Sequence, residues 1–318
     1  MASKTRIFFV SDVHGSDRLF FKFINAAPIY KANVLIIGGD IAGKAITPIF
    51  RKDGGLAAEH QAVWRYPKSK EEIEALDRDI RSIGNYPYMT TEEEWKEIVK
   101  DSAKMDAIFD ELINESVERW CRVAQERLKP LGVRIFVNKG NDDPLILEET
   151  IKKSGYVEYP NEKAIYIDSS HEMISLGYAN MTPWNLPGDL PEDVLAAKID
   201  TLVAGLKNVK SSIFNIHVPP INTHLDIAPK LDSNLTPVIS TGGEPEMAHV
   251  GSTAVRAAIE KYQPLMSLHG HIHESKGYAK IGRTHCFNPG SEYTTGVLKG
   301  LAVDISENKM ESHVFTTG

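Results

Sequence analysis

Seven side chains of the types that bind transition metals come just after five short apolar runs of the chain. They are Asp12, His14, Asp40, Asn141, His217, His271 and His273. One such residue is weak evidence, because a lone histidine is more often an ordinary polar residue than a ligand. Seven of them in the same kind of position are poorly explained by chance. We interpret the other histidines as ordinary polar residues or as neighbours of the motifs: His60, His171, His249, His285 and His313 in the first group, His224 and His269 in the second.

The mixture of carboxylate, imidazole and amide groups indicates which metals would bind. These ligands suit borderline divalent ions, namely Mn, Fe, Co, Ni or Zn, better than Mg or Ca. Seven ligands are too many for one zinc-like ion but divide well between two. Two cations about 3.5–4 Å apart need a bridging carboxylate, and they lower the pKa of a bridging water and clamp a phosphoryl group. The sequence therefore predicts two divalent ions and a metal-bridging hydroxide that attacks a phosphate ester.

The five apolar runs are predicted to be buried strands, since they are too short for helices and rich in β-branched and aromatic residues. They cover residues 6–10, 33–37, 133–137, 212–216 and 265–268. A predicted helix over 17–27 joins the first two in a β-α-β unit, which makes these strands parallel. Ligands in α/β sheets gather at the carboxyl ends of strands. The remaining predicted elements are short strands near 164–168 and 172–177, helices over 192–206 and 252–262, and antiparallel strands within 277–316.

Residues 44–130 separate the second and third strands and are predicted to form an inserted helical subdomain within one domain, 1–318. Capping boxes at Ser69–Glu72 and Thr91–Glu94 open two helical patterns, the second of which continues to Pro130. The amphipathic pattern does not choose between a lid, a docking platform and an interface through which the chain could form a homo-oligomer.

The composition is that of an ordinary globular protein, with 42% apolar residues, 43 acidic and 36 basic side chains in 318 residues. A net charge of −7 without a basic block disfavours nucleic acid as a partner. Two cysteines imply neither a disulfide framework nor a cysteine metal site. No apolar run approaches the ~18 residues of a membrane span, and the apolar start is too short for a signal peptide. We therefore expect a cytoplasmic protein without membrane contact, and the net charge does not exclude a small anionic ligand held by metal ions.

The order of the motifs resembles that of the calcineurin-like metallophosphoesterase superfamily: Asp-x-His, Gly-Asp, Gly-Asn, His and Gly-His-x-His. The stretch 288–291, Asn-Pro-Gly-Ser, is also similar to bacterial and archaeal members. The resemblance implies a four-layer αββα sandwich of two mixed β-sheets flanked by helices. It also implies that one metal is bound by Asp12, His14, Asp40 and His273. The other is implied to be bound by Asp40, Asn141, His217 and His271, so that Asp40 bridges the two.

The sequence departs from the family at one position. Many members have a histidine after Gly-Asn that protonates the leaving oxygen or contacts the phosphate, whereas this chain has Asp142 there. A carboxylate near two cations is favoured in its charged form and is a poor general acid. We therefore expect a phosphodiesterase rather than a phosphomonoesterase, with Asp40, Asn141 and Asp142 as catalytic residues. The alternative is a non-catalytic metal-binding scaffold or interaction module on the same fold.

Overall fold

The computed structural model describes residues 4–52 and 54–318. Its strands are, in chain order, β1 (Thr5–Val10), β2 (Val34–Ile37), β3 (Ala45–Lys52), β4 (Gly55–His60), β5 (Val63–Arg65), β6 (Asn85–Thr90), β7 (Arg134–Val137), β8 (Lys163–Tyr166), β9 (Glu172–Leu176), β10 (Ala179–Asn180), β11 (Asp189–Leu190), β12 (Ile213–Ile216), β13 (Ile227–Pro229), β14 (Met247–His249), β15 (Met266–Leu268), β16 (Gly277–Ile281), β17 (Thr284–Asn288), β18 (Lys299–Ser306) and β19 (Lys309–Thr317). Its α-helices are α1 (Asp17–Tyr30), α2 (Lys70–Ser82), α3 (Glu92–Lys100), α4 (Ser102–Leu128), α5 (Ile146–Lys153), α6 (Glu192–Ala204) and α7 (Thr253–Tyr262). All five strands predicted to precede ligands are present, within a residue or two of the predicted bounds.

Two mixed sheets form the centre of the molecule. The first has the strand order β19-β18-β1-β2-β7, in which β1, β2 and β7 are parallel. The second has the order β16-β17-β15-β12-β9-β8, in which the four strands from β17 to β9 are parallel. Because β1 and β2 pair in parallel, the predicted β-α-β unit is confirmed.

Three apolar clusters show how the layers pack. One lies between the two sheets and joins Phe9 and Phe136 of the first to Met266 and Phe287 of the second. A second packs α1, α4 and α5 against the outer face of the first sheet, and a third packs α6 and α7 against the outer face of the second. The layer order is therefore helices, sheet, sheet, helices, and the predicted four-layer αββα sandwich is confirmed.

The prediction that residues 44–130 are helical is wrong for part of the segment. Strands β3, β4, β5 and β6 form a four-stranded sheet of order β5-β4-β3-β6, which we call the inserted sheet. One face of it packs on α2 through Ile49, Ala58, Leu76 and Ile80. The capping boxes open α2 and α3 as predicted, but the helical signals begin only at Ser69. The chain before Ser69 forms β3, β4 and β5, and the fourth strand, β6, lies between α2 and α3.

Helix α4 belongs to the outer helical layer of the main core, because Trp120 and Ala124 pack in the same cluster as α1 and β1. The domain boundaries themselves stay a prediction. No helix in the described ranges, 4–52 and 54–318, is long and apolar enough to cross a bilayer.

Candidate metal centre

The seven predicted ligands lie in loops that leave the carboxyl ends of five strands. Asp12 and His14 follow β1, Asp40 follows β2 and Asn141 follows β7 of the first sheet; His217 follows β12, and His271 and His273 follow β15 of the second. Since these strands are parallel within each sheet, their carboxyl ends lie at one edge of the sandwich. We call these five segments (11–16, 38–43, 138–143, 217–219 and 269–273) the strand-end loops.

The structure brings six of the seven side chains into two groups that share Asp40. Asp12, His14, Asp40 and His273 form one group, and Asp40, His217 and His271 form the other; in each, one ligand atom per residue lies within 4.8 Å of the others. The Oδ2 atom of Asp40 is 3.7 Å from His14 Nε2, and its Oδ1 atom is 3.4 Å from His217 Nε2. The two carboxylate oxygens therefore face different groups, as a bridging ligand requires.

The chemistry of the donors fits bound metal ions. His14 Nε2 and His273 Nε2 are 3.1 Å apart, a separation that suits two nitrogens each about 2.1 Å from one ion. Among the residues that the structure describes, both ring nitrogens of His217, Nδ1 of His14 and Oδ1 of Asn141 are buried and lack a hydrogen-bond partner. Buried polar atoms rarely remain unpaired unless a ligand satisfies them.

Asn141, the seventh predicted ligand, has its amide held in one orientation. Its Nδ2 atom donates to Asp189 Oδ1 at 2.8 Å, which leaves the unpaired Oδ1 as the ligand atom. The other Asp189 oxygen accepts from the backbone N–H groups of Thr182 and Leu186 at 3.0 and 2.9 Å. Such partners of a ligand fix its orientation. Sequence reasoning missed Asp189, which lies 48 residues after Asn141 and follows no motif.

Burial and charge set the protonation states of the group. Burial opposes ionisation of Asp40, but the charge of His217, whose Nε2 atom is 3.4 Å from Asp40 Oδ1, lowers the pKa of Asp40 well below its usual range. Burial lowers the pKa of His14 to about 3 and that of His271 to about 4, so both imidazoles are neutral at pH 7. Carboxylates and neutral imidazoles are the forms that bind metals. His217 differs, because Asp40 overcomes the effect of burial and raises its pKa to about 9, so a proton competes with a metal there.

Four of the predicted ligands have a left-handed backbone that non-glycine residues rarely adopt. The φ angles are 58° at Asp12, 41° at His14, 50° at Asp40 and 67° at His271. Conformations of this kind cost on the order of 1 kcal/mol or more each and cluster at functional sites. The fold holds these four side chains in place at the expense of local backbone strain.

Two glycines allow the strand-end loops to approach each other closely. A Cβ atom on Gly140 would lie 1.9 Å from Asp40 Oδ1, and one on Gly270 would lie 2.3 Å from Asp12 Oδ2. Both distances are far below a van der Waals contact. The absence of a side chain at these positions is therefore a condition for placing the two carboxylates.

Asp143 joins the loop that carries Asp40 to the loop that carries Asn141. Its buried carboxylate accepts from the backbone N–H groups of Ile41 at 2.9 Å and of Ala42 and Gly140 at 2.7 Å. Burial, with the nearby charge of Asp40, raises its pKa to about 6 in spite of these bonds. Asp143 is a positioning residue that sequence reasoning did not identify.

Asp142, predicted to be catalytic, lies next to the shared carboxylate. Its backbone N–H donates to Asp40 Oδ1 at 3.3 Å. Its side chain is partly exposed and forms an ion pair with Lys44, with 2.8 Å between Asp142 Oδ2 and the Lys44 Nζ atom. Asp142 is thus an acceptor for an ammonium group.

The Asn-Pro-Gly-Ser stretch noted in the sequence closes the site from the second sheet. The Asn288 Nδ2 atom donates to the carbonyl oxygens of Gly270 and Ile272 at 3.2 and 2.9 Å, and Ser291 Oγ donates to that of Asp12 at 2.7 Å. These bonds tie the loop of His271 and His273 to the loop after β1.

The two histidines near the motifs differ in role. The Nδ1 atom of His269 lies 2.8 Å from the carbonyl oxygen of Ile216 and 3.0 Å from that of Val218, so this ring joins β15 to the loop of His217. His224 is exposed.

Sequence similarity to a known protein covers part of the chain. No family model matches the sequence. The uncharacterized protein MJ1162 of Methanocaldococcus jannaschii is 34% identical over 118 residues, which are 36% of this chain and 46% of that protein. The chain therefore spans less than half the length of this curated relative.

Solved structures align over almost the whole chain. One crystal structure, 17% identical, covers 97% of this chain and 98% of its own with a TM-score of 0.57. The crystal structure of TT1561 of Thermus thermophilus, 13% identical, covers 99% of both chains with a TM-score of 0.52. A novel archaeal phosphodiesterase, 12% identical over 98% of this chain, has a TM-score of 0.36, too low for any inference. The chain therefore shares the overall fold of the first two structures, with two mixed sheets between helical layers and the five ordered motifs at one edge.

Proposed function

We propose that this chain is a phosphoesterase that uses two divalent metal ions and favours phosphodiesters over phosphomonoesters. The observation that supports the proposal best is the position of Asp40, whose two carboxylate oxygens face two separate groups of ligand atoms. One ion would be held by Asp12, His14, Asp40 and His273. The other would be held by Asp40 with Asn141, His217 and His271.

Two divalent ions at this edge would supply positive charge for the phosphoryl oxygens and an acidified water at neutral pH. The side chains of the protein set the protonation states of the ligands and the positions of the loops. Buried Asp12 and Asp40 stay ionised, and His14 and His271 stay neutral, so these side chains can accept metals without a proton leaving first. Asp143 holds the loops in register, so that the ligands need not reorganise during turnover.

The preference for diesters is supported by the ion pair of Asp142. A carboxylate bound to the Lys44 ammonium accepts hydrogen bonds and does not protonate a leaving group. Substrates whose leaving group needs little protonation, such as aryl diesters, then suffer least from the missing histidine.

A non-catalytic scaffold on the same fold is the second candidate, and the missing histidine is the observation that favours it. The unpaired ligand atoms of Asn141 and His217, found within the described residues, favour a bound metal under both candidates, so only turnover distinguishes an enzyme from a metal-binding scaffold.

Metal-dependent turnover tests the proposal. After prolonged dialysis against EDTA we expect no hydrolysis of bis(p-nitrophenyl) phosphate, and we expect Mn to restore it better than Mg, because the imidazole ligands suit Mn better. Hydrolysis of p-nitrophenyl phosphate, measured in parallel, should be slower. Full activity in excess EDTA would contradict the two-metal mechanism, and no activity with any metal on any ester would favour the scaffold.

A further inference from the structure

A lysine and a carboxylate form a pair at the entrance to the candidate metal centre. Lys44 is four residues after Asp40 and directly precedes β3. Its Nζ atom lies 2.8 Å from Asp142 Oδ2, and the side chains are 47% and 27% exposed. This pair is therefore accessible to a substrate, unlike the buried ligands Asp12 and His217.

Lys44 is held beside the shared ligand Asp40 through Asp142. The backbone N–H of Asp142 donates to Asp40 Oδ1 at 3.3 Å, and its carboxylate is the group that Lys44 contacts. Burial alone would lower the pKa of Lys44, but the hydrogen bond to Asp142 and the charges of Asp142 and Asp40 raise it. Lys44 is consequently a cation linked through Asp142 to the edge of the metal-ligand groups.

One aromatic ring lies against two of the predicted ligands. The ring of Tyr293 is 4.5 Å from the ring of His14 and 5.8 Å from that of His273, measured between centroids. A partly exposed aromatic ring and the Lys44–Asp142 pair therefore both lie beside predicted ligands of the site.

We propose that Lys44 binds a phosphoryl oxygen of the substrate and that Asp142 positions Lys44 and selects monoanionic esters. The inference rests on the proposed phosphoesterase function. An ammonium has three N–H donors, so it can bond to Asp142 and to a phosphate oxygen together. This interaction supplies part of the phosphate contact that the missing histidine would provide.

The charge of the pair explains the selectivity. Lys44 and Asp142 together carry no net charge, so a dianionic monoester gains less from the pair than it would from a lysine alone. A monoanionic diester also meets less repulsion from the Asp142 carboxylate. Removal of the Asp142 charge should therefore strengthen the binding of monoesters relative to diesters, whereas removal of the Lys44 charge should weaken the binding of both classes.

The experiment compares Lys44→Ala, Lys44→Arg and Asp142→Asn with the wild type, after metal content has been measured for each. The matched control is Lys230→Ala, which breaks the exposed ion pair between Lys230 and Glu246 on the 227–249 segment. The readouts are kcat and KM for bis(p-nitrophenyl) phosphate and p-nitrophenyl phosphate, and the Kd of inorganic phosphate by calorimetry.

Lys44→Ala should raise KM and the phosphate Kd about tenfold or more, as expected for one charge-assisted hydrogen bond, with unchanged metal content. Lys44→Arg should recover most of this loss, and Asp142→Asn should lower KM for the monoester severalfold more than for the diester. KM and phosphate Kd values for Lys44→Ala within twofold of wild type would overturn the inference. A Lys230→Ala control that weakens phosphate binding by the same factor would also overturn it. If the wild type hydrolyses neither ester but Lys44→Ala still weakens phosphate binding, the proposed function fails and the role of Lys44 stands.

Discussion

The strand-end loops and the inserted sheet differ in how tightly their residues are held, although the loop of Asp40 leads directly into β3. In the strand-end loops, Asp12, His14, Asn141 and His217 are almost completely buried. In the inserted sheet, all three residues of β5 are exposed, and Trp64 keeps 46% of its surface accessible. Lys44 lies at the boundary, since it follows the loop of Asp40 and precedes β3.

The difference indicates which part of the molecule is more constrained. The strand-end loops combine strained backbone, glycines without room for a side chain, and buried carboxylates that bind backbone N–H groups. Such a region tolerates little change, because most substitutions leave a buried polar group unpaired. The inserted sheet has one apolar face on α2 and a half-exposed opposite face, so its outer residues should be replaceable.

The largest effect on activity is expected from a change of Asp40, the proposed bridging ligand. Asp40→Asn should reduce kcat/KM for bis(p-nitrophenyl) phosphate by about 10³-fold, since loss of metal charge stabilisation is worth several kcal/mol. It should reduce kcat/KM more than His14→Ala or His217→Ala does, because each histidine belongs to only one of the two ligand groups. A milder effect of Asp40→Asn than of either histidine variant would show that the bridging assignment is wrong.

The next effect concerns stability. Asp143→Ala leaves the N–H groups of Ile41, Ala42 and Gly140 without their acceptor, and each unsatisfied buried donor costs about 1–3 kcal/mol. We expect the free energy of unfolding to fall by about 3 kcal/mol in urea titrations. The exposed Asp106→Ala serves as control and should change stability by less than about 0.5 kcal/mol. Equal stability of the two variants would contradict the role of Asp143 as a clamp.

A smaller effect is expected at the entrance. Asp142→His introduces the histidine that many members of the superfamily resembled by the sequence have after Gly-Asn, and general acid catalysis is worth about 10²–10⁴-fold where a leaving group needs a proton. The ratio of kcat/KM for alkyl monoesters to that for activated diesters should therefore rise by about 10-fold or more. An unchanged ratio would remove the sequence-level support for the diesterase preference.

The smallest effect is expected in the inserted sheet. Trp64→Ala removes a half-exposed ring that stacks on Tyr66 at 6.3 Å between centroids. Surface changes of this kind usually alter stability by about 0.5 kcal/mol or less. We expect kcat/KM within twofold of wild type. A large loss of activity with intact folding would mean that this sheet contributes to catalysis, and the contrast between the two regions would fail.

The two regions also differ in how well the sequence predicts them. Strands β1, β2, β7, β12 and β15 are continuous apolar runs that end in polar residues, so their position and the ligands after them are predictable. The inserted sheet is not, because its strands are half-exposed and contain Pro48 and Pro87, residues that usually argue against a strand. Asp189, Asp143 and Lys44 escaped prediction as partners because their contacts depend on loops that approach each other only in the fold.

Metal binding itself tests the central claim most directly. The metal-free protein should be reconstituted with Mn, analysed for bound metal, and examined by electron paramagnetic resonance alongside Asp40→Asn. We predict two Mn ions per chain with an exchange-coupled signal, and loss of that coupling in Asp40→Asn, because its carboxylate joins the two groups of ligands. A single ion per chain, or two uncoupled ions in the wild type, would contradict a dinuclear centre bridged by Asp40.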